Sequence, residues 1–408
     1  MVSIDEALRL IHENVPAVGT EILSIEEALG RVAAQHLHAA FDMPRFDHSA
    51  MDGYAVTLAD AGGTIEPQTT IFAGDESDVI VKKGAGVKIM TGAMMPKGAD
   101  AVIPAEETET LKDGSVRLPG SIRQGANIRK QGEEVAKGER ILTYGDEVGA
   151  YTVALLASQG ISYLQVHRKP AVTVFATGHE LKMHYEKAEA HQIYNSNAPM
   201  LLSRCRELGC RARFTGATAD TMASIERHIV DALGSDLIVT SGGVSVGDAD
   251  FTLDAFEKLG MEILFQKVNM KPGKPVTVGR IGSTWVLNLP GNPSAAALTF
   301  ELFGRSIIHR LRGMNRPFLS FERARNKTFY KLKPGRQTAV LGRYDGTFFE
   351  ALDKQGPGMV RPLSLANAMI VTEKEVDGLK EGQEVKVLPL DCDRGSETPT
   401  SLFTEKAE

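Results

Sequence analysis

The residues best suited to chemistry cluster between Asp236 and Leu259. Leu237-Ile238-Val239 is an apolar, β-branched run of the kind that makes a buried strand. Ser241-Gly242-Gly243-Val244-Ser245-Val246-Gly247 follows as a glycine-rich turn. Asp248 and Asp250 come next, then Phe251, Leu253, Phe256 and Leu259 at helical spacing. In a strand–glycine loop–helix arrangement, backbone N–H groups can hold an anion, and glycine lets the backbone approach it closely. The two aspartates would repel an anion alone, so a divalent cation bridging phosphate and carboxylate is a sensible third member. Read alone, the same residues equally make a tight βα turn whose aspartates cap the helix. The spacing is neither a dinucleotide fingerprint nor a Walker A loop.

Other loops carry matching residues. Thr177-Gly178-His179-Glu180-Leu181 follows the strand run Ala171 to Ala176. Lys267, Lys271 and Lys274 lie in a basic segment that ends at Pro275, and Leu289-Pro290-Gly291-Asn292-Pro293 follows Trp285-Val286-Leu287. Lysines suit an oxyanion, and a charge pair at about 4 Å is worth roughly 4 kcal/mol at an effective dielectric near 20. Carboxylates (Glu180, Asp220, Asp248, Asp250) favour Mg²⁺ with phosphate completing the shell. The set argues for an anionic, phosphate-bearing ligand with Mg²⁺, without naming a reaction. Taken singly, each lysine reads as a solvated strand face and each aspartate as a cap or turn residue.

The elements that must position these loops alternate strand and helix from about Lys169 to Leu311. That rhythm is the signature of an open, mostly parallel α/β sheet, whose ligands sit outside the carboxyl ends of the strands. Capping boxes at Ser3/Glu6 and Ser24/Glu27 predict two N-terminal helices. The segment Phe41 to Val56 is polar and irregular, with Asp42, Arg45, Asp47, His48, Ser49 and Asp52. Short apolar runs give a β texture to residues 55–129, and Thr91 opens a turn directly after one of them. Asp146 to Ser158 reads as an apolar helix, and short strands from Pro317 to Leu390 read as a small β-barrel.

The expected organisation is a multidomain α/β protein. A framework domain is discontinuous (1–46 plus 130–168), and a β-rich domain (47–129) is inserted in it. The α/β domain covers 169–315, the β-barrel 316–391, and a polar tail 392–408. A chain of 408 residues accommodates about two to four such domains.

Net charge is -6, which gives no global support for nucleic-acid binding. Three cysteines (Cys205, Cys210, Cys392), without metal-ligand spacing, suit a reduced, cytoplasmic compartment. The acidic amphipathic N-terminus does not read as a signal peptide, and no apolar stretch is long enough to span a bilayer.

Six motifs, in order, resemble the MoeA family, the molybdopterin molybdenumtransferases related to the gephyrin E domain. They are SAMDGYAV (Ser49 to Val56), IMTGAMMP (Ile89 to Pro96), ATGHEL (Ala176 to Leu181), SGGVSVGDAD (Ser241 to Asp250), KPGKP (Lys271 to Pro275) and LPGNP (Leu289 to Pro293). The resemblance implies insertion of molybdate into adenylated molybdopterin, with cleavage of the adenylate, release of AMP and a need for Mg²⁺. It also implies a homodimer with active sites shared between subunits, and contact with the adenylyltransferase that makes the substrate.

Carried over by motif, the resemblance marks Asp52, Thr91, Glu180, Asp220 and Asp250 as catalytic candidates. Gly242, Gly243 and Ser245 fall in the phosphate cradle. Lys271, Lys274 and Pro275 fall in a molybdate-binding element, Lys267 falls on a family lysine four residues earlier, Pro290 and Pro293 are the prolines of LPGNP, and Arg336 in the last domain matches a molybdate-contacting arginine. Glu180, Asp250 and Glu134 are the metal-ligand candidates. The chain departs from the family pattern at His179 and Glu134, where aspartate is common, and at Pro357, where a serine is expected. Two rival readings are adenylation of molybdopterin, which a similar α/β domain can serve, and a non-catalytic molybdopterin-binding scaffold. The additional domains and the MDGY motif argue against the first, and the intact acidic and basic positions against the second.

Overall fold

Ser3 accepts the Glu6 backbone N–H on its side chain at 3.1 Å and starts helix α1 (Ile4–Asn14). The buried face of α1 is Ile4, Ala7 and Ile11, the spacing that puts three side chains on one side of a helix. The computed structural model describes residues 1–218, 221–242 and 251–390. Asp220, Gly243, Ser245, Asp248, Asp250, Cys392 and the expected tail lie outside the described residues.

The second expected helix does not form. Ser24 Oγ does accept Glu27 N–H at 3.3 Å, but residues 25–30 are turns. Gly30 adopts φ +70°, and Val32 and Ala33 are drawn into bridges with Glu147 and Val166. The same pairing keeps Asp146 to Gly149 out of the later helix, which begins only at Ala150. In both places a β-bridge to a distant segment overrode local helix signals.

Two compact units make up the chain: Met1–Ala34 with Gly145–Gly149 and Leu164–Glu408, and Gln35–Tyr144 with Ala150–Tyr163. The second unit contains β1 (Gly53–Val56), β2 (Thr70–Ile71), β3 (Val87–Ile89), β4 (Ala101–Pro104) and α2 (Ala150–Ser158). Its four-stranded sheet has the order β2-β3-β1-β4, with β1 antiparallel to both neighbours. Successive residues of β1 serve opposite faces, as the pleat requires. Ala55 packs with Ile71, Val87 and Val102, while Tyr54 and Val56 pack with Ile65 and Ile103.

The first unit is built on β5 (Ala171–Thr177), α3 (Asn197–Glu207), β6 (Arg211–Thr218), α4 (Met222–Ala232), β7 (Leu237–Ser241), α5 (Phe251–Lys258), β8 (Glu262–Gln266), β9 (Met270–Lys271), β10 (Thr277–Ile281), β11 (Thr284–Leu289), α6 (Pro293–Thr299) and α7 (Arg305–Leu311). The sheet order is β6-β5-β7-β11-β10-β8. The first four strands are parallel, and β10 and β8 add an antiparallel edge. Both faces of β7 are buried. Leu237 and Val239 join a core with α1, α3 and the later helices, and Ile238 joins Phe175, Ile225, Ile229 and Phe256 on the other side. A strand covered by helices on both faces reads as a continuous apolar run, which is why Leu237-Ile238-Val239 is legible as a strand.

The chain then forms β12 (Glu322–Asn326), β13 (Gln337–Tyr344), β14 (Phe348–Ala351), α8 (Arg361–Leu365), β15 (Ala368–Thr372) and β16 (Glu384–Pro389). Pairing runs β13-β14-β12-β16-β15 and returns from β15 to β13, closing a five-stranded barrel. Closure leaves these strands without open edges. The main core is shared with this barrel through Ala339, Leu341, Met369 and Leu388. No helix among the described residues is long and apolar enough to cross a membrane.

Candidate active site

At the carboxyl ends of β5, β7 and β11 lies a cavity of about 640 Å³. Thr177, Gly178 and Glu180 line it from the loop after β5, Ser241 and Gly242 from the end of β7, and Pro290 to Pro293 from the loop after β11. Parallel strands end together, so loops far apart in sequence meet at one rim. Pro275 also lines the cavity, as do Ile193 to Asn197 and, from the barrel region, Gly358 and Val360.

Gly242 sets the shape of the floor. It has φ +107°, and a Cβ there would lie 2.5 Å from the Thr177 carbonyl oxygen. Its N–H donates to the Leu289 carbonyl at 3.2 Å, tying the β7 and β11 ends together. Glu180 folds back over Gly178, where a Cβ would come within 2.8 Å of Glu180 Oε1. His179 Nδ1 stands 3.8 Å from the same carboxylate. Pro357 donates nothing, but its carbonyl accepts the Ser294 N–H at 3.0 Å, and Ser294 Oγ donates to Met359 O at 2.7 Å. This docks the segment carrying Gly358 and Val360 against the start of α6.

The site candidates therefore fall into separate groups. Glu180, Gly242, Pro275, Pro290 and Pro293 share the cavity lining. Lys267, Lys271 and Lys274 are exposed and lie outside that lining. Lys271 is on β9, which pairs in parallel with β13 in the register Met270↔Gln337 and Lys271↔Thr338. That pairing brings Lys271 alongside the segment led by Arg336, which is exposed as well. Lys267 has φ +61°, unusual for a side chain longer than asparagine. Its backbone N–H donates to Val276 O, and its carbonyl accepts Val2 N–H, both at 3.0 Å. The turn is therefore held by bonds at both ends.

In the second unit, Asp52 and Thr91 meet. Gly53 pairs with Ile89 across β1 and β3, so the residue before one strand lies beside the residues after the other. Asp52 Oδ1 accepts the Thr91 N–H and the Thr91 Oγ1–H, each at 2.7 Å. The backbone bond from Thr91, then its hydroxyl, hold the Asp52 carboxyl below its ordinary value. Glu134, also in this unit, is paired with Arg129 Nη2 at 3.9 Å, and the same guanidinium contacts Glu133 closely.

Asn195, Asn197, Gly358 and Val360 line the cavity although nothing in the sequence reading marked them as ligands. Polar residues in Tyr194-Asn195-Ser196-Asn197, at the junction of a short strand and α3, are the only signal that could have found the first two. Gly358 and Val360 arrive from more than fifty residues away and carry no chemical signal of their own.

Three family models match consecutive parts of the chain. The MoeA N-terminal region (domain I and II) matches residues 2–160, a probable molybdopterin binding domain 173–310, and the MoeA C-terminal region (domain IV) 323–390. A molybdopterin molybdenumtransferase of Haemophilus influenzae is 33% identical over 399 residues, covering 95% of this chain and 98% of that protein. One from Bacillus subtilis is 33% identical over 424 residues, covering 100% of this chain and 98% of its own. The crystal structure of a molybdopterin biosynthesis moeA protein from Pyrococcus horikoshii superposes with a TM-score of 0.84 at 26% identity, over 95% of this chain and all of that one. With one third of its residues shared along nearly its whole length and the same architecture throughout, this chain belongs to the MoeA family.

Proposed function

We propose that this chain is the enzyme that inserts molybdate into adenylated molybdopterin, cleaving the adenylate and releasing AMP. The observation that carries the reading is the cavity at the carboxyl ends of β5, β7 and β11, where Glu180, Gly242, Pro275 and Pro290 converge in a chain similar end to end to molybdopterin molybdenumtransferases. Cleaving a phosphoanhydride requires positioning and charge compensation rather than a covalent nucleophile.

Each group then has a physical task. The Gly242 turn brings bare backbone to the phosphates, since no Cβ fits there. Glu180 is the described carboxylate at the cavity. One carboxylate facing a phosphate-bearing ligand fits Mg²⁺, which is usually held by one or two carboxylates, substrate phosphates and waters. Bound there, the ion would neutralise charge developing on the phosphoanhydride. Asp220 and Asp250 are proposed for the same acidic set on the motif alone, and Glu134 as a further acid. Lys267, Lys271, Lys274 and Arg336 supply positive charge for molybdate, a dianion. The Asp52–Thr91 pair is proposed to act in a homodimer whose active sites draw on both subunits. The substrate would arrive from the adenylyltransferase of the preceding step. The cysteine-poor chain suits a cytoplasmic setting.

The test is AMP release by purified protein given adenylated molybdopterin and Mg²⁺, with and without molybdate. Molybdate-dependent release supports the insertion reading. Tight binding of the adenylate without release in either condition overturns it in favour of a non-catalytic scaffold.

A further inference from the structure

A second cavity, of about 560 Å³, lies between α3, α6 and the barrel segment. Met200 and Leu201 line it from α3, Ala297 from α6, Leu341 from β13 and Leu363 from α8. Met200, Ala297 and Leu363 are only half-buried, so the cavity leaves apolar surface in water. The two helices serve both cavities. Asn197 of α3 and Pro293 of α6 line the active-site cavity, and Met200 and Ala297, about one turn further along, line this one.

The charged groups at this second wall are occupied by one another. Arg204 Nε and Nη2 donate to the two Glu301 oxygens at 2.7 and 3.0 Å, and Arg204 Nη1 donates to Glu207 at 2.6 Å. A charged ligand would have to compete with these bonds. An apolar side chain gains simply by covering Met200, Ala297 and Leu363, at roughly 25 cal/mol per Å² removed from water.

The chain itself leads to the rim. Leu390, directly after β16, lines the cavity. Its N–H donates to Asn367 O at 2.9 Å, and Arg305, also in the lining, donates from Nη1 to Pro389 O at 2.9 Å. Residues 391–408 therefore start at this rim. Leu402 and Phe403 are the only large apolar residues in that stretch, and the residues between them and Leu390 are mostly charged, hydroxyl-bearing or small. A run of that length spans up to roughly 40 Å, enough to turn back to the rim. The tether also keeps the pair at an effective concentration of about millimolar, which favours it over the same residues of a second copy.

We propose that the second cavity docks the chain's own residues 391–408, with Leu402 and Phe403 seated between α3, α6 and α8. Docked there, the pair braces the two helices whose first residues line the active-site cavity.

The test uses the full-length chain with p-benzoylphenylalanine in place of Phe403. Irradiation is expected to join residue 403 to peptides of α3, α6 or α8 in a product of single-chain mass on a denaturing gel. Met200→Glu sets a charge in the cavity wall and should cut that yield about tenfold, because an unpaired charge is costly to bury. Arg206→Glu, on the same helix but outside the lining, should leave it unchanged. A second measurement does not depend on altering the cavity. With Leu402→Ser and Phe403→Ser together, which touch no described element, deuterium uptake by the α3 amides should quicken about fivefold as the brace is lost. Cross-links that map away from these three helices overturn the proposal. So does an equal yield in a Met200→Glu chain that still unfolds cooperatively, or unchanged α3 exchange in the double variant. Cross-links to the cavity that join two chains give it to a second copy, which overturns the assignment to the chain's own tail.

Discussion

One oxygen of Asp52 accepts both the backbone N–H and the hydroxyl of Thr91, each at 2.7 Å, although both side chains are exposed. Two bonds to a single carboxylate oxygen on the surface contribute little to the core. They do fix the direction of both side chains. Thr91→Val, which keeps the shape and the backbone bond but removes the hydroxyl, should lower AMP release at least tenfold while the melting temperature moves by no more than a degree or two. Because hydrogen bonds from Thr91 lower the Asp52 carboxyl below its ordinary value, the pair is present at neutral pH and is lost only as pH falls through that lowered value. An NMR titration of the Thr91 amide should accordingly show no Asp52-linked shift between pH 7 and about pH 5. A midpoint above the ordinary aspartate value would contradict this arrangement.

Gly242 is expected to tolerate no side chain. At φ +107°, and with Thr177 O only 2.5 Å from an added Cβ, Gly242→Ala must move the β5 or β7 end. The strain should cost roughly 1–3 kcal/mol, read as a lower urea midpoint at unchanged slope. Binding of AMP should weaken beyond what the stability loss explains, because the moved backbone lines the cavity.

The β9–β13 register sets Lys271 opposite Thr338, two residues after Arg336, and both cations are exposed. If they hold molybdate, Lys271→Ala and Arg336→Ala should each raise the molybdate KM by about tenfold and leave the affinity for AMP unchanged, since a hydrogen bond to a charged group contributes roughly 1.5–3 kcal/mol. The wild-type KM should rise with ionic strength, and the double variant should lose most of that dependence. An equal loss of AMP affinity would instead place the two cations on the phosphates.

His309 provides a pH test of the α/β unit's stability. Burial, reinforced by Arg305, pushes its pKa down to about 4, and its Nδ1 lies 3.2 Å from the Pro317 carbonyl. The unfolded chain binds a proton at this residue below about pH 6.5 while the folded chain does not, so stability falls as pH drops from about 6.5 toward 4. Between pH 7 and pH 5 the loss from this residue should be about 2 kcal/mol. His309→Gln should flatten that part of the urea-unfolding profile. An unchanged pH dependence would show that the imidazole takes up its proton as readily in the folded protein as in the unfolded chain.

Much of this protein was determined by local sequence. Leu237-Ile238-Val239 read as a buried strand from its β-branched residues and the glycine turn after it, and burial on both faces explains why it shows no polar alternation. Ser3 and Glu6 specify α1, since the cap bond spans three residues and needs no distant partner. The glycine and Pro/Gly loops after β5, β7 and β11 were legible for the same reason, and parallel topology then required them to meet. What local signals could not supply was decided by long-range partners. Ser24 and Glu27 form a capping contact as good as many, yet no helix follows, because Val32 and Ala33 bridge to Glu147 and Val166. Lys271 meets the segment that Arg336 leads only through a strand pairing with Thr338, across more than sixty residues. Asn195 and Asn197 are ordinary at a helix start until burial removes the water that would have satisfied them. A sequence fixes which hydrogen-bonding groups a residue carries, but only the tertiary structure decides which of them are left without a partner.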